Sequence, residues 1–508
     1  MSKVAFIGFM GAGKTTAARA AAAALGTRAA DVDELLEQRL GKPIARIFAE
    51  DGEEVFRAAE ERLTLELLAR RGEPRVIALG GGAVQSVAVR DALRAALVVW
   101  VDVDPATAWA RVRRSDRPLA RSWEGFAELY AKREPLYASA ADVVLPAQRT
   151  AEAAAALAAY ESAPAGTRLL WAACASRDYP VYLRAGLLTE WRFWPRALTG
   201  RRFLITDDGA GPRYGELLEP LRGRVAIVGG ERSKTLAEAE RIFGEMARAE
   251  LTRADLVVAL GGGVVGDLAG FCAATYQRGV RWVGVPTTLL AQVDSAYGGK
   301  TGVDLPAAKN YVGAFHQPSA VLADPATLGT LPAPELAAGY AEVVKTALIA
   351  GGWLWERVRA GADPADTEVI MGCALTKLRV VASDEHDGGP RQVLNLGHTV
   401  AHALEAITDY RRYRHGEAVA LGLLAELRLS GLDQLRAEVR ELLAARGLPV
   451  NLDGVDPDAI AAATGRDKKR LGAAPVPFVL LDAPGAARPG AVVDDPSLRA
   501  AVRELLRR

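Results

Sequence analysis

The sequence predicts an α/β protein in which two parallel-sheet domains precede a helical one. Three observations carry that prediction. Strand-like apolar runs (VAFIGF, VIALGG, ALVVWVDV, then LLWAACA, RFLITDD, RVAIVGG, LVVALGGG, WVGVP) alternate with helical ones, the pattern of βαβ units whose parallel sheets are covered by helices. An Ala-rich stretch that decays into a Ser/Pro/Gly connector, TAEAAAALAAYESAPAGT at 150–167, divides that series. From about residue 325 onward the pattern becomes helical. The expected domains are residues 1–162, 163–324 and 325–508.

Composition narrows the class without naming a function. At 508 residues, 50% apolar and 25% charged, the chain has ordinary globular composition and room for several domains. A net charge of +1 gives no electrostatic case for a nucleic-acid or membrane partner. The three cysteines, Cys174, Cys272 and Cys373, are too far apart for a CxxC metal knuckle or a disulfide framework. The chain opens on a strand, KVAFIG, so no signal peptide is expected, and no apolar run reaches bilayer length. A cytoplasmic protein with small-molecule partners is expected.

Taking the elements in order, residues 8–15, GFMGAGKT, fit G-x-x-x-x-G-K-[ST] between a strand and an Ala-rich helix. Around Gly11, Ala12 and Gly13 backbone N–H groups can wrap phosphates, Lys14 reaches the β and γ oxygens, and Thr15 can ligate Mg2+ beside Thr16. The implied ligand is a nucleoside triphosphate. Asp31-Val32-Asp33 reads as an extended segment with two carboxylates on one side, one for the Mg2+ shell and one for an acceptor hydroxyl. Arg57, Arg117 and Arg133 are candidate clamps for an anionic acceptor. Gly80, Gly81 and Gly82 let a substrate approach the backbone closely.

Over residues 1 to about 160 these blocks (GFMGAGKTT, the D-x-D, GEEVFRAAE, ALGGGAV, RPL, REPLY) make the sequence resemble shikimate kinase. The resemblance implies that Asp33, Arg57, the Gly80–Gly82 turn and Arg133 hold shikimate, and that Asp31 sits near Mg2+. Lys14, Asp33 and Arg117 become the catalytic candidates, with Arg117 on a lid over the reacting phosphate. Arg111 and Arg113 both qualify as the arginine against adenine.

Residues 256–267, LVVALGGGVVGD, form a strand, a glycine turn at Gly262-Gly263 and a helix start, with Asp267 placed to face a ribose or cap the helix. Asp294, Lys300, Lys309 and Asn310 follow in Gly-rich sequence that suits a phosphorylated or carboxylated ligand. Glu342 and Lys345 interrupt an apolar helix, GYAEVVKTALI, where buried charge needs a partner. Arg391 and Asn395 precede LNLGHTVAH, and RDKKR at 466–470 is a compact basic patch. His398 and His402 are four apart on one helical face, and His415 opens a second apolar helix. Imidazoles converging from two helices, with Glu342 as the carboxylate, suit a divalent metal, Zn2+ first.

With GERSK (230–234), LGGGVVGDLAGF, PTTLLAQVDS, GGKTGV, the KN pair at 309–310, AEVVK, LNLGHTVAH and HGEAV in that order, residues 167–508 resemble 3-dehydroquinate synthase. The resemblance assigns Zn2+ (or Co2+) to Glu342, His398 and His415, and moves His402 to the substrate. It gives NAD to Asp207, Glu231, Lys234, Gly262, Gly263, Asp267, Thr287 and Thr288, with Lys300 and Lys309 at its edge. It gives 3-deoxy-D-arabino-heptulosonate 7-phosphate to Asp294, Lys300, Lys309, Asn310, Lys345, Arg391, Asn395, His402 and one of Lys468 or Lys469. Lys300, Lys345, Arg391 and His402 are then the catalytic candidates. The implied chemistry is transient oxidation at C5 by NAD+, loss of phosphate, return of the hydride and aldol closure. A homodimer through this half is implied as well. The alternatives are another sugar-phosphate cyclase, or one half retained as an inactive regulatory domain. Tyr297, Asp304, Ala308, Asp387 and Ala401 depart from that family's usual residues, and Tyr297 and Asp387 are where altered rate or specificity is expected.

Overall fold

The computed structural model describes residues 3–115, 118–306, 308–464 and 476–506. The chain forms two compact units, the first running to Ala173 with the segments Pro180–Tyr182 and Pro195–Ala197, the second taking the remainder.

In the first unit the strands are β1 (Val4–Ile7), β2 (Ala29–Asp31), β3 (Val76–Ala78), β4 (Leu97–Asp102), β5 (Val143–Pro146) and β6 (Arg168–Ala172). They are parallel in the order β2-β3-β1-β4-β5-β6, with Ala5 opposite both Ile77 and Val98. β1 is buried at all four residues, as a central parallel strand with helices on both faces must be. Helix Lys14–Ala24 buries only alanines (Ala17, Ala18, Ala21, Ala22), so it lies close against the sheet.

Next come β7 (Tyr179–Leu183), β8 (Arg202–Asp207), β9 (Gly223–Ile227), β10 (Leu256–Gly261), β11 (Arg281–Pro286), β12 (Lys300–Leu305), β13 (Ala308–Phe315) and β14 (Ala320–Ala323). The sheet of the second unit is parallel in the order β9-β8-β10-β11-β14. After β8 the chain moves outward to β9, and after β10 it moves the other way to β11. The crevice at the carboxyl ends of β8 and β10 is therefore a topological switch point, where such sheets bind ligands. β12 and β13 form a separate antiparallel hairpin.

The helical part includes helices Ala333–Ala350, Thr367–Ser383, His398–Ile407 and His415–Leu429. It is not purely helical, as the sequence had suggested: β15 (Phe478–Ala483) and β16 (Ala486–Ala491) form a hairpin. Its short FVLLDA strand, closed by Pro484 and Gly485 (φ +87°), carries little periodic signal among the surrounding helices. Among the described residues no helix is long and apolar enough to cross a membrane.

Candidate functional site

Three helices bring Glu342, His398 and His415 together. Glu342 is 1% exposed in the middle of helix Ala333–Ala350, and each histidine is the first residue of its own helix. The backbones come unusually close here. A Cβ on Gly416 would stand 1.9 Å from the Ala338 carbonyl oxygen, and one on Gly422 would stand 1.9 Å from that of Gly397. At the start of helix His398–Ile407 the Gly397 N–H donates to the buried Glu426 carboxylate at 2.6 Å. The Glu417 carboxylate accepts the Arg414 N–H at 2.8 Å, fixing the first turn that carries His415.

The Nε2 atoms of His398 and His415 lie 3.4 and 3.3 Å from the same oxygen of Glu342. All three ligand atoms fall within 4.8 Å of one another. Burial lowers His398 to about 4, so it presents a neutral imidazole. Burial opposes charge on His415 too, but Glu342 and Glu405 prevail and raise it to about 10. Desolvation would raise Glu342, yet Lys345 and His398 hold it well below the usual carboxylate range. One carboxylate and two imidazoles around a common point fit a borderline divalent ion, which would take the place of the His415 proton. The Nδ1 of His398 faces the Leu396 carbonyl at 3.0 Å, and that of His415 faces Glu405 at 3.4 Å. His402 lies next to them, its ring centroid 5.5 Å from that of His398, but it is not in the set whose ligand atoms converge and it lines the adjoining cavity. The i, i+4 spacing thus marks a shared face without making a ligand pair.

Beside the cluster lies a buried charge network. Lys345 contacts Glu342 at 2.5 Å and Asp294 at 3.2 Å. The other oxygen of Asp294 pairs with Lys377, a lysine that motif reading missed. Its only signal was a cation inside the apolar helix Thr367–Ser383. Asp294 is carried on a π-helical turn, Ala291–Ser295, a widened turn frequent at functional sites. Burial alone would raise Asp294, but the two lysines hold it well below its ordinary value. Burial lowers the Lys377 ammonium despite Asp294, while Asp294 and Glu342 outweigh burial at Lys345 and raise it.

Lys300 pairs with Asp387 at 2.5 Å. Half of the Lys300 side chain stays open to water, yet its ammonium is hemmed in by protein, and that desolvation lowers it to about 8 against the pull of Asp387. Arg391 is 1% exposed and donates to the carbonyls of Glu385 (2.6 Å) and Gly298 (3.1 Å), so it braces the Gly298-Gly299 turn ahead of Lys300. Neither Arg391 nor Asn395 lines the main cavity; Asn395 closes the short helical turn Pro390–Asn395. Tyr297 does not line it either: it is 2% exposed and donates to the Gln292 carbonyl at 2.7 Å. Its departure is accommodated in the core. Asp387 adopts φ +61°, a left-handed conformation that a short Asp tolerates better than a Glu. Asp304 accepts the Asn310 N–H at 2.7 Å, bracing the hairpin between β12 and β13.

A cavity of about 1150 Å3 joins these groups to the switch point; its lining includes Asp207, Lys309, Glu342, His402 and His415. Asp207 ends β8 and accepts the N–H groups of Gly209 and Ala210. Gly262 is the residue before helix Gly263–Thr275, and Gly263 its first. Asp267 does not cap that helix; it pairs with Lys234 at 2.6 Å, and Lys234 also reaches Asn310 at 2.5 Å. Glu231 lies 3.4 Å from Lys309, and Thr288 completes this edge of the cavity. Thr287 is held behind it, its N–H on the Gly261 carbonyl at 2.9 Å. Lys468 and Lys469 lie outside the described residues.

In the first unit Gly13 (φ +94°) precedes helix Lys14–Ala24, and the loop from Gly11 through Ala12 curls before it, Ala12 N–H bonding Phe9 O. The Lys14 ammonium sits over the loop on the Phe9 carbonyl at 3.2 Å, Thr15 Oγ1 meets Asp31 at 2.5 Å, and Thr16 is exposed. Asp31–Asp33 is not extended: β2 ends at Asp31, whose carboxylate caps helix Val32–Leu40 by accepting the Asp33 and Glu34 N–H groups. The two carboxylates still diverge usefully, Asp31 to Thr15 and Asp33 to a cavity of about 450 Å3 that Arg57, Gly81, Gly82 and Arg133 also line. Gly80 lies just behind, against Glu60. Glu60 is a second residue that motif reading missed: 2% exposed, it accepts Arg57 at 2.6 Å. Burial raises its carboxyl, with Arg57 opposing. Arg133 donates to Gln85 at 2.8 Å, and Tyr137 to Gly81 O at 2.5 Å. Of the two candidate adenine arginines, Arg111 reaches the phosphate loop, donating to Gly11 O at 2.8 Å. Arg117 lies outside the described residues.

The sequence matches the shikimate kinase family over residues 10–162, and the N-terminal and C-terminal parts of 3-dehydroquinate synthase over 224–338 and 339–470. The 3-dehydroquinate synthase of Symbiobacterium thermophilum is 46% identical over 317 residues, 57% of this chain and 88% of that protein. That of Lactiplantibacillus plantarum is 44% identical over 299 residues, 56% and 83% respectively. Among solved structures, 2-epi-5-epi-valiolone synthase of Streptomyces hygroscopicus, with NAD+ and Zn2+ bound, superposes with a TM-score of 0.59 at 26% identity, covering 64% of this chain and 96% of that one. A 2-deoxy-scyllo-inosose synthase with carbaglucose-6-phosphate, NAD+ and Co2+ gives 0.58 at 25% identity, covering 66% and 100%. The chain belongs to the 3-dehydroquinate synthase family and carries a shikimate kinase domain ahead of its synthase domains.

Proposed function

We propose that the synthase domains convert 3-deoxy-D-arabino-heptulosonate 7-phosphate to 3-dehydroquinate and phosphate, using NAD+ and a divalent metal, Zn2+ or Co2+. The observation that carries this reading is the convergence, on one cavity, of the Glu342–His398–His415 cluster and the glycine turn at the switch point, with the Asp294–Lys345–Lys377 network beside the cluster. Glu342, His398 and His415 would hold the ion; Asp207, Glu231, Lys234, Gly262, Gly263, Asp267, Thr287 and Thr288 would frame the dinucleotide. When bound, NAD+ would take and return the hydride of the alcohol carbon, and the ion would polarise the oxygen on that carbon.

The chain's own side chains have the remaining work. Lys345 and Lys377, fixed by Asp294, keep positive potential beside the metal cluster, where an anionic substrate and its departing phosphate need it. Lys300, Lys309 and Asn310 add donors along the hairpin formed by β12 and β13, and His402 supplies an imidazole within the cavity that is not committed to the ion. Arg391 supports substrate recognition by holding the Gly298-Gly299 turn that aims Lys300.

The kinase domain, on this proposal, transfers the γ-phosphoryl of ATP to shikimate. Lys14 serves the phosphates, Thr15 with Asp31 suits Mg2+, and Asp33 faces the acceptor cavity with Arg57 and Arg133 as the anion clamps.

Phosphate release from the heptulosonate phosphate by the purified chain, with NAD+ and Zn2+ and with or without chelator, tests the synthase reading. Chelator-sensitive release with dehydroquinate and no accumulated NADH is expected. No release from folded, metal-loaded protein would instead direct attention to another sugar phosphate.

A further inference from the structure

Glu405 belongs to neither motif that flags the site, yet it is 3% exposed and joins the site's two ends. A single oxygen, Oε1, lies 3.4 Å from His415 Nδ1 and 3.4 Å from the Lys309 ammonium. Beyond Lys309 the charges continue to alternate: Glu231 at 3.4 Å, then Lys234 at 3.9 Å from Glu231, then Asp267 at 2.6 Å from Lys234. This chain runs from a metal-ligand candidate to the glycine turn at the switch point. The other histidine is supported differently, by the backbone carbonyl of Leu396, a fixed dipole.

We propose that Glu405 is a positioning residue shared by His415 and Lys309, and that through it filling of the metal site strengthens binding of the anionic dinucleotide at Lys309. The reasoning rests on the cofactor reading above. A divalent cation at His415 Nε2 brings one more positive charge than the proton it displaces, so it draws the Glu405 carboxylate more firmly onto the Nδ1–H. Because the same oxygen serves both partners, Lys309 is correspondingly loosened from Glu405 and freed for a phosphate of the ligand. The linkage is reciprocal, so the dinucleotide tightens metal binding by the same factor.

The test uses the full chain, stripped with chelator or loaded with Zn2+. NAD+ affinity is measured by titration calorimetry and Zn2+ affinity by competition with a chromogenic chelator. In the wild type, Zn2+ is expected to strengthen NAD+ binding about fivefold or more. In Glu405→Gln that gain falls below about twofold, and Zn2+ binding weakens about 10-fold or more, the usual cost of losing a supporting carboxylate. Lys309→Met, which leaves Glu405 in place, also loses the gain but keeps Zn2+ affinity at or above the wild-type level. It decides the matter if Glu405→Gln does not fold. An undiminished gain in either variant, Zn2+ binding unaltered in Glu405→Gln, or no gain in the wild type overturns the proposal. Wild type that binds Zn2+ but no NAD+ at all would sink the cofactor reading and the coupling with it, while Zn2+ affinity in Glu405→Gln would separately decide whether Glu405 supports His415.

Discussion

Asp294 shows how much of the site depends on single side chains. A largely buried carboxylate at the cavity wall is stabilised by Lys345 and Lys377, and those lysines in turn keep positive charge beside the cavity. Lys377→Met should lower kcat/KM of the synthase reaction about 30-fold, the ~2 kcal/mol expected from truncating one member of a buried pair. Glu342→Gln should weaken metal binding more than about 100-fold, beyond the loss typical of a merely supporting residue, as competition with a chelator would read. Lys300 yields a pH dependence. Its ammonium is lowered to about 8, so it is charged below that pH and neutral above it, and KM for an anionic substrate should rise as pH passes 8. Lys300→Arg should abolish that rise, since guanidinium stays charged throughout; a rise that persists would place the titration elsewhere. At this scale the sequence announced the histidines, Glu342 and Lys345 through motif and apolar context. It could not announce Lys377, Glu60 or Glu405, whose importance lies in which distant residue each one meets.

At the scale of elements, the Glu342–His398–His415 cluster is a packing result. Helix His415–Leu429 reaches helix Ala333–Ala350 at Gly416, and the start of helix His398–Ile407 at Gly422, so closely that no side chain fits. Gly422→Ala would put a methyl 1.9 Å from a backbone carbonyl and force the helices apart. A loss of about 3 kcal/mol in urea unfolding of the synthase domains is expected, together with weaker metal binding. Unchanged metal affinity would show that the histidine geometry does not depend on this approach. The glycines are plain in HGEAVALGLLAEL, but only the packed helices show which faces they clear. Local pattern likewise gave only Gly-rich polar sequence where the π-helical turn carries Asp294, and an extended segment where Asp31 caps a helix. Both cases have one cause: a short polar stretch has no periodicity to fix its backbone.

For the molecule as a whole, the described kinase candidates lie within the first compact unit and the described synthase candidates within the second. Lys14→Met should therefore abolish shikimate phosphorylation, by about 1000-fold or more for loss of a charge stabilising the transferred group, and leave phosphate release from the heptulosonate unchanged. A parallel loss of both activities in a folded variant would reveal coupling between them. The sequence by itself determined the order of the α/β and helical regions, the phosphate loop, the candidate metal ligands and the family, because strand alternation, glycine-lysine spacing and buried charge are local signals. Tertiary structure alone decided which lysines neutralise Asp294, that Arg391 braces a turn, and that one oxygen of Glu405 serves both His415 and Lys309. Those outcomes depend on distances between segments remote in sequence, and such distances are fixed only when the helices and sheets pack.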